Sequence, residues 1–145
     1  MKCEITYAKA ITETHHEEME KFPELFTLGQ DICRPEGAEG AFKITTGLPK
    51  RFPDRVIGTI LNESSIVGNG IGIALRGGKA ICEMQFADFA TEALKMILNY
   101  AAPLHYRHGL KLSLVIRMPS GIIGSAGAYH SVSPEATFFG EPGLI

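Results

Sequence analysis

A single carboxylate, Glu63, stands five residues ahead of the first of three glycines, Gly68, Gly70 and Gly72, in the stretch NESSIVGNGIGIAL. Two chemistries fit that arrangement. The glycines could form a loop whose backbone N–H groups cradle phosphate, or they could belong to a helix whose first turn carries the carboxylate. A dinucleotide fingerprint needs G-x-G-x-x-G directly after a strand. Here the order is G-x-G-x-G and Glu63 precedes it, so the expectation is a helix from about residue 63. Gly68 and Gly72, four residues apart, would share a face of that helix and let another backbone pack closely. Each internal glycine costs the helix about 1 kcal/mol relative to alanine, which tight packing must offset. A carboxylate between a strand end and a helix start lies where open α/β sheets bind ligands, although it also suits the helix dipole with no further role.

Other reactive residues form weaker patterns. His130 follows the glycine-rich PSGIIGSAGAYHS, a weak catalytic signal by itself. Gly121, Gly124 and Gly127 in that run leave open a nucleotide-binding module. His105 and His108 are one turn apart, but beside Arg107 they read as the cationic end of a long helix. His15 and His16 precede Glu17 and Glu18 without completing H-E-x-x-H, so a solvated helix face is expected. Cys3, Cys33 and Cys82 are odd in number and contain no C-x-x-C pair, which points to ordinary thiols.

Regular elements must position these groups. Thr6 can cap a helix over residues 7–22, stopped by Pro23, with Ala10, Ile11 and Met19 near one face. ELFTLG (24–29) reads as a strand, followed by a polar loop through Arg34, Pro35 and Gly40. An irregular helix is expected over 42–52, and RVIGTI (55–60) reads as a strand buried on both faces. After the glycine-rich helix come a strand at 79–85, a long helix at about 88–106 and a strand at 112–117. Pro134 suits the first position of a short helix beginning near Ser133. Alternation of strand and helix predicts an α/β fold, a mostly parallel sheet with helices on both faces.

The length of 145 residues fits one domain, residues 1–145. With 45% hydrophobic and 21% charged residues and a formal charge of -2, the chain offers no electrostatic footprint for nucleic acid. Apolar runs broken by Asn69, Arg76 or Glu83 are too short to span a membrane, so a soluble intracellular chain is expected.

Taken in order, LNESSIVGNGIGIAL, CEMQFADF, LVIRMPSG and YHSVSPEA resemble the beta subunit of thiamine-diphosphate-dependent 2-oxoacid dehydrogenases, the branched-chain, pyruvate and acetoin type. The likeness is to its N-terminal pyrimidine-binding, transketolase-like domain, extends from Ile5 to Leu144, and includes FTLGQDI and GAFKITTGL. It implies thiamine diphosphate shared with an alpha subunit, magnesium held by that partner, and oxidative decarboxylation of a 2-oxoacid with acyl transfer to lipoyl groups. Glu63 maps onto the carboxylate that bonds a nitrogen of the cofactor's aminopyrimidine ring, and Phe89 onto the aromatic residue that stacks on that ring. Leu61 and Gln85 match positions lining the ring. His130 matches a histidine near the thiazolium end, with a part in substrate orientation or proton transfer. Leu112, Leu114 and Val115 match backbone positions of one half of a potassium site.

Two departures stand out. Gln30 occupies the position where the family usually has glutamate, and the family's C-terminal domain has no counterpart in the sequence. The resemblance therefore implies half of a composite enzyme site, inactive in isolation. The glycine-rich helix and the apolar helix at 88–106 offer more apolar surface than one small sheet can cover, so a homo-oligomer, most simply a dimer, is expected. The compartment would be the cytoplasm, or the mitochondrial matrix in a eukaryote. The alternative is a catalytically silent, truncated homologue that keeps the fold and an oligomerisation interface.

Overall fold

In the computed structural model, which describes residues 4–33, 39–122 and 124–145, the chain opens on α1 (Tyr7–Lys21). The Thr6 hydroxyl accepts the Lys9 N–H at 3.2 Å, a cap of the kind that stabilises a helix by about 1 kcal/mol. Phe22 leaves the helix in an extended conformation, as the residue before a proline prefers.

Four strands follow: β1 (Leu25–Gln30), β2 (Val56–Thr59), β3 (Lys79–Glu83) and β4 (Leu114–Arg117). They form one sheet in the order β2-β1-β3-β4, every pairing parallel. The connections place α1 and α2 (Leu48–Arg51) on one face, where Met19, Leu25, Ile32, Leu48 and Val56 make a core. On the other face α3 (Glu63–Leu75) and α4 (Ala90–Met96) cover a core of Val67, Ile71, Met84, Ala93 and Ile97, and Ile66 of α3 packs with Leu28, Ala80 and Cys82 of the sheet. The predicted α/β architecture with helices on both faces is thus observed. Among the described residues no helix is long and apolar enough to cross a membrane. Burial pushes the Cys82 thiol up to about 12, leaving it an inert core residue. Cys3, Arg34 and Pro35 lie outside the described residues.

Several expectations need correction. β2 is not buried on both faces: it is an edge strand, with Val56 buried and Ile57 and Gly58 exposed. His15 is not on a solvated face either. It is 4% exposed, and its Nε2 lies 2.8 Å from the Thr27 hydroxyl. That hydroxyl donates to Met19 Sδ, so its oxygen is left to accept the Nε2–H. His16 reaches the Thr46 carbonyl at 2.8 Å.

The close approach of α3 to the sheet depends on Gly70, not on the Gly68 and Gly72 pair. A Cβ at Gly70 would stand 2.4 Å from Cys82 Sγ and 2.9 Å from Leu114 Cδ1, whereas one at Gly72 would meet nothing within 4 Å. The long helix expected at 88–106 is divided. A 3-10 turn (Ala87–Phe89) precedes α4, a π-helical turn (Ile97–Ala101) follows it, and α5 (Leu104–His108) starts after Pro103. Proline cannot donate to the helical ladder and crowds the carbonyl four residues back, so the helix widens and restarts there. The last described helix, α6 (Gly127–His130), has four residues, and Pro134 precedes only a 3-10 turn, Glu135–Thr137.

Candidate functional site

Because the strands run parallel, their carboxyl ends gather Gln30, Thr59, Glu83 and Arg117 along one edge of the sheet. Glu63 enters from the connection after β2. The Asn62 side chain accepts the Ser65 N–H at 2.7 Å and so fixes the start of α3 with Glu63 in its first turn. Glu63 is 9% exposed, and among the described residues no ion pair or hydrogen bond engages its carboxylate. Two further buried polar atoms at this edge, Gln30 Oε1 and Thr59 Oγ1, also lack partners, and their residues are neighbours in the β1–β2 register. Leaving each such atom unsatisfied costs about 1–3 kcal/mol, a cost that a bound polar ligand would remove.

Asp31 follows β1 in the left-handed region, φ 59°, a conformation short polar side chains tolerate better than most. Its Oδ2 accepts from Gln85 Nε2 at 2.8 Å and, more weakly, from Gln30 Nε2 at 3.4 Å. Behind it stands an aromatic wall. Phe86 stacks on the His130 ring with centroids 4.3 Å apart and planes at 12°, and Phe89 meets His130 edge-on at 5.3 Å. Phe42, from the loop before α2, packs edge-on against Phe86 at 5.7 Å. His130 Nδ1 lies 3.0 Å from Asp88 Oδ2. The first turns of α3 and α4 are tied by a hydrogen bond from the Ser64 hydroxyl to the Glu92 carbonyl, which sets the carboxylate side and the aromatic side at the same end of the domain.

On the opposite face of the sheet, Arg117 makes a bidentate ion pair with Glu83. Burial pushes the Glu83 carboxyl up and the guanidinium holds it down. Gly29, between β2 and β3, makes room for it: a Cβ there would fall 2.7 Å from the Glu83 carbonyl oxygen and 2.9 Å from its Cβ.

The residues singled out in the sequence are distributed as follows. Phe89 and His130 are in contact, and Glu63 sits at the same end, with Leu61 73% exposed beside it. Gln85 spends its amide on Asp31. Leu112 and Leu114 pack against the α4 core, while Val115 is 57% exposed on the edge strand. Ser113 and Arg117 carbonyls bond β3, which turns the Leu114 carbonyl toward the free edge. Sequence reasoning missed Asp31, Phe42, Phe86 and Asp88. The stretch QFADF held a signal: aromatics three residues apart flanking an acid at the start of a helix.

The chain is an open parallel α/β sheet that gathers buried polar groups at its carboxyl edge, the position where sheets of this kind place ligands. The family profile described as transketolase, pyrimidine binding domain, matches residues 3–145, and the chain belongs to that family. Among its relatives, 2-oxoisovalerate dehydrogenase subunit beta 2, mitochondrial, of Arabidopsis thaliana is 43% identical over 139 residues, covering 93% of this chain and 38% of the relative. The 2-oxoisovalerate dehydrogenase subunit beta of Bacillus subtilis is 43% identical over 143 residues, covering 97% and 43%. Pyruvate dehydrogenase E1 component subunit beta of Rickettsia conorii is 34% identical over 144 residues, covering 97% and 43%. The chain therefore spans about two fifths of the length of these relatives. A solved structure described as a split gene transketolase, inactive beta4 tetramer, superposes with a TM-score of 0.54 at 24% identity, covering 79% of this chain and 32% of that one, and shares its fold.

Proposed function

We propose that this chain supplies the aminopyrimidine-binding half of a composite thiamine diphosphate site, acting with an alpha-type partner in the oxidative decarboxylation of a 2-oxoacid. The observation that carries the reading is the nearly buried, unpartnered Glu63 carboxylate, set at the same edge as the orphaned Gln30 Oε1 and Thr59 Oγ1. These groups suit a flat, nitrogen-rich ring that donates and accepts hydrogen bonds. Glu63 would hold a ring nitrogen and share its proton, Phe89 would offer an aromatic surface, and Gln85, anchored by Asp31, and Leu61 would line the ring. When bound, the cofactor supplies the electron sink for decarboxylation. His130 faces the same end of the site and would hold or move a proton during acyl transfer. The partner would hold magnesium and the diphosphate, and the Leu114 carbonyl with its neighbours Leu112 and Val115 would contribute half of a potassium site. In this reading residues 1–145 are one domain of a larger assembly. A catalytically silent homologue is the second reading, favoured by the neutral Gln30 at a position where the resemblance implies an acid.

The test is Glu63→Gln in the complex reconstituted with an alpha-type subunit. Glutamine keeps the shape but cannot exchange a proton, so deuterium exchange at the cofactor's thiazolium carbon should slow by roughly 10²–10⁴, the range for a positioned acid–base group. Equal rates in wild type and variant would reduce Glu63 to a helix-start carboxylate.

A further inference from the structure

Asp88 has no role in the assignments above, yet it makes the one polar contact to the His130 ring among the described residues, Oδ2 to Nδ1 at 3.0 Å. A carboxylate only accepts, so the proton of this contact belongs to Nδ1 in both the neutral and the charged ring. Phe86 lies nearly parallel to the imidazole at 4.3 Å and Phe89 stands against it at 71°, which restricts the tilt of the ring. Stacking alone does not distinguish a ring from its flipped form; the carboxylate does. Asp88 is itself held, because it lies in the 3-10 turn that leads into α4, and its carbonyl accepts the Thr91 hydroxyl at 2.9 Å. Its other oxygen, Oδ1, is buried without a partner, so the side chain's hydrogen bonding to this ring is committed through Oδ2.

We propose that Asp88 is a positioning residue: it fixes His130 with the proton on Nδ1 and keeps Nε2 as the ring's basic nitrogen, oriented for the proton transfer assigned to His130. The functional part of this inference rests on the proposed reading of His130, whereas the tautomer is a property of the chain alone. Outer partners that orient metal-bound imidazoles are typically worth 10- to 100-fold in function, and a loss of about that order is expected for this ring.

The experiment begins with the isolated, 15N-labelled chain. Long-range proton–nitrogen correlation at a pH where imidazoles are neutral should show His130 with Nδ1 protonated and Nε2 pyridine-like. Asp88→Ala should move the ring toward the Nε2–H form, with the remaining amide spectrum little changed. A wild-type ring protonated on Nε2, or a ring indifferent to Asp88→Ala, overturns the proposal; the wild-type spectrum decides even if the variant does not fold. In the reconstituted complex, Asp88→Ala, which removes the acceptor, should lower kcat for acyl transfer by roughly 10- to 100-fold with little change in KM. If His130→Gln is impaired while Asp88→Ala is not, positioning by Asp88 is refuted. If His130→Gln is also unimpaired while the tautomer is as stated, the function proposed for His130 falls and the geometric claim stands.

Discussion

Acid should unfold this protein partly through His15. The ring is buried between α1 and β1, and burial, with smaller contributions from Arg117 and His16, lowers its pKa from 6.5 to about 4. Below pH 6.5 the unfolded chain takes up a proton that the folded ring refuses until about pH 4, so folding stability falls as pH falls through that window. The displacement corresponds to roughly 3 kcal/mol, a large share of the roughly 5–15 kcal/mol that stabilises an ordinary domain. Urea unfolding across this pH range, compared between wild type and His15→Gln, measures it. Glutamine can still donate to Thr27 but does not titrate, so the variant should lose about 3 kcal/mol less than wild type between neutral pH and pH 4. Glu24, Glu39 and Glu135 have lowered carboxyl pKa values and lose their contributions at lower pH in both proteins, cancelling in the difference. Parallel stability curves would refute the argument, showing that the ring finds water or a counter-charge on protonation.

The two central glycines of α3 should respond oppositely to alanine. Gly70→Ala drives a methyl into Cys82 and Leu114, and an overpacking cost of about 1–3 kcal/mol should exceed the helix-propensity gain of about 1 kcal/mol; Gly72→Ala has open space and keeps the gain. Thermal unfolding that ranks Gly70→Ala at or above Gly72→Ala would be inconsistent with this packing. The purified chain should also self-associate, because Val115 on edge strand β4 and Phe139 are 57% and 91% exposed. Sedimentation velocity giving a monomer at every concentration would count against it.

Much of the fold could be read from periodicity, and the misreadings have physical causes. β1 and β3 were recognisable as apolar runs, but RVIGTI looks equally apolar at an edge or in the centre, since sheet order is set by crossovers rather than by local sequence. His15 counts as polar in a helical pattern, yet it lies midway between Ile11 and Met19, four residues from each, and so shares their buried stripe. A stripe rule based on spacing rather than polarity would have found it. The small residues of α3 were legible as a packing signal, but which glycine meets the sheet depends on the roll of the helix, and only Gly70 points there. At the site, Glu63 was visible from its place between strand and helix. Asp88 was not, because its partner His130 is 42 residues away in the chain.

The row Gly29, Glu83, Arg117 lies straight across three neighbouring strands, each member shaped by the next. The missing side chain at 29 is the space into which the Glu83 backbone and Cβ fit, and the guanidinium at 117 answers the carboxylate at 83. These positions therefore form a single unit of inheritance spread over 89 residues of chain. A hybrid gene joined between β1 and β3, or between β3 and β4, would separate it and could set a side chain against backbone or bury a charge alone. Swaps of α1, or of the loop ahead of α2, leave the row whole, so the safest exchanges either lie outside the crossed strands or begin and end between two of them.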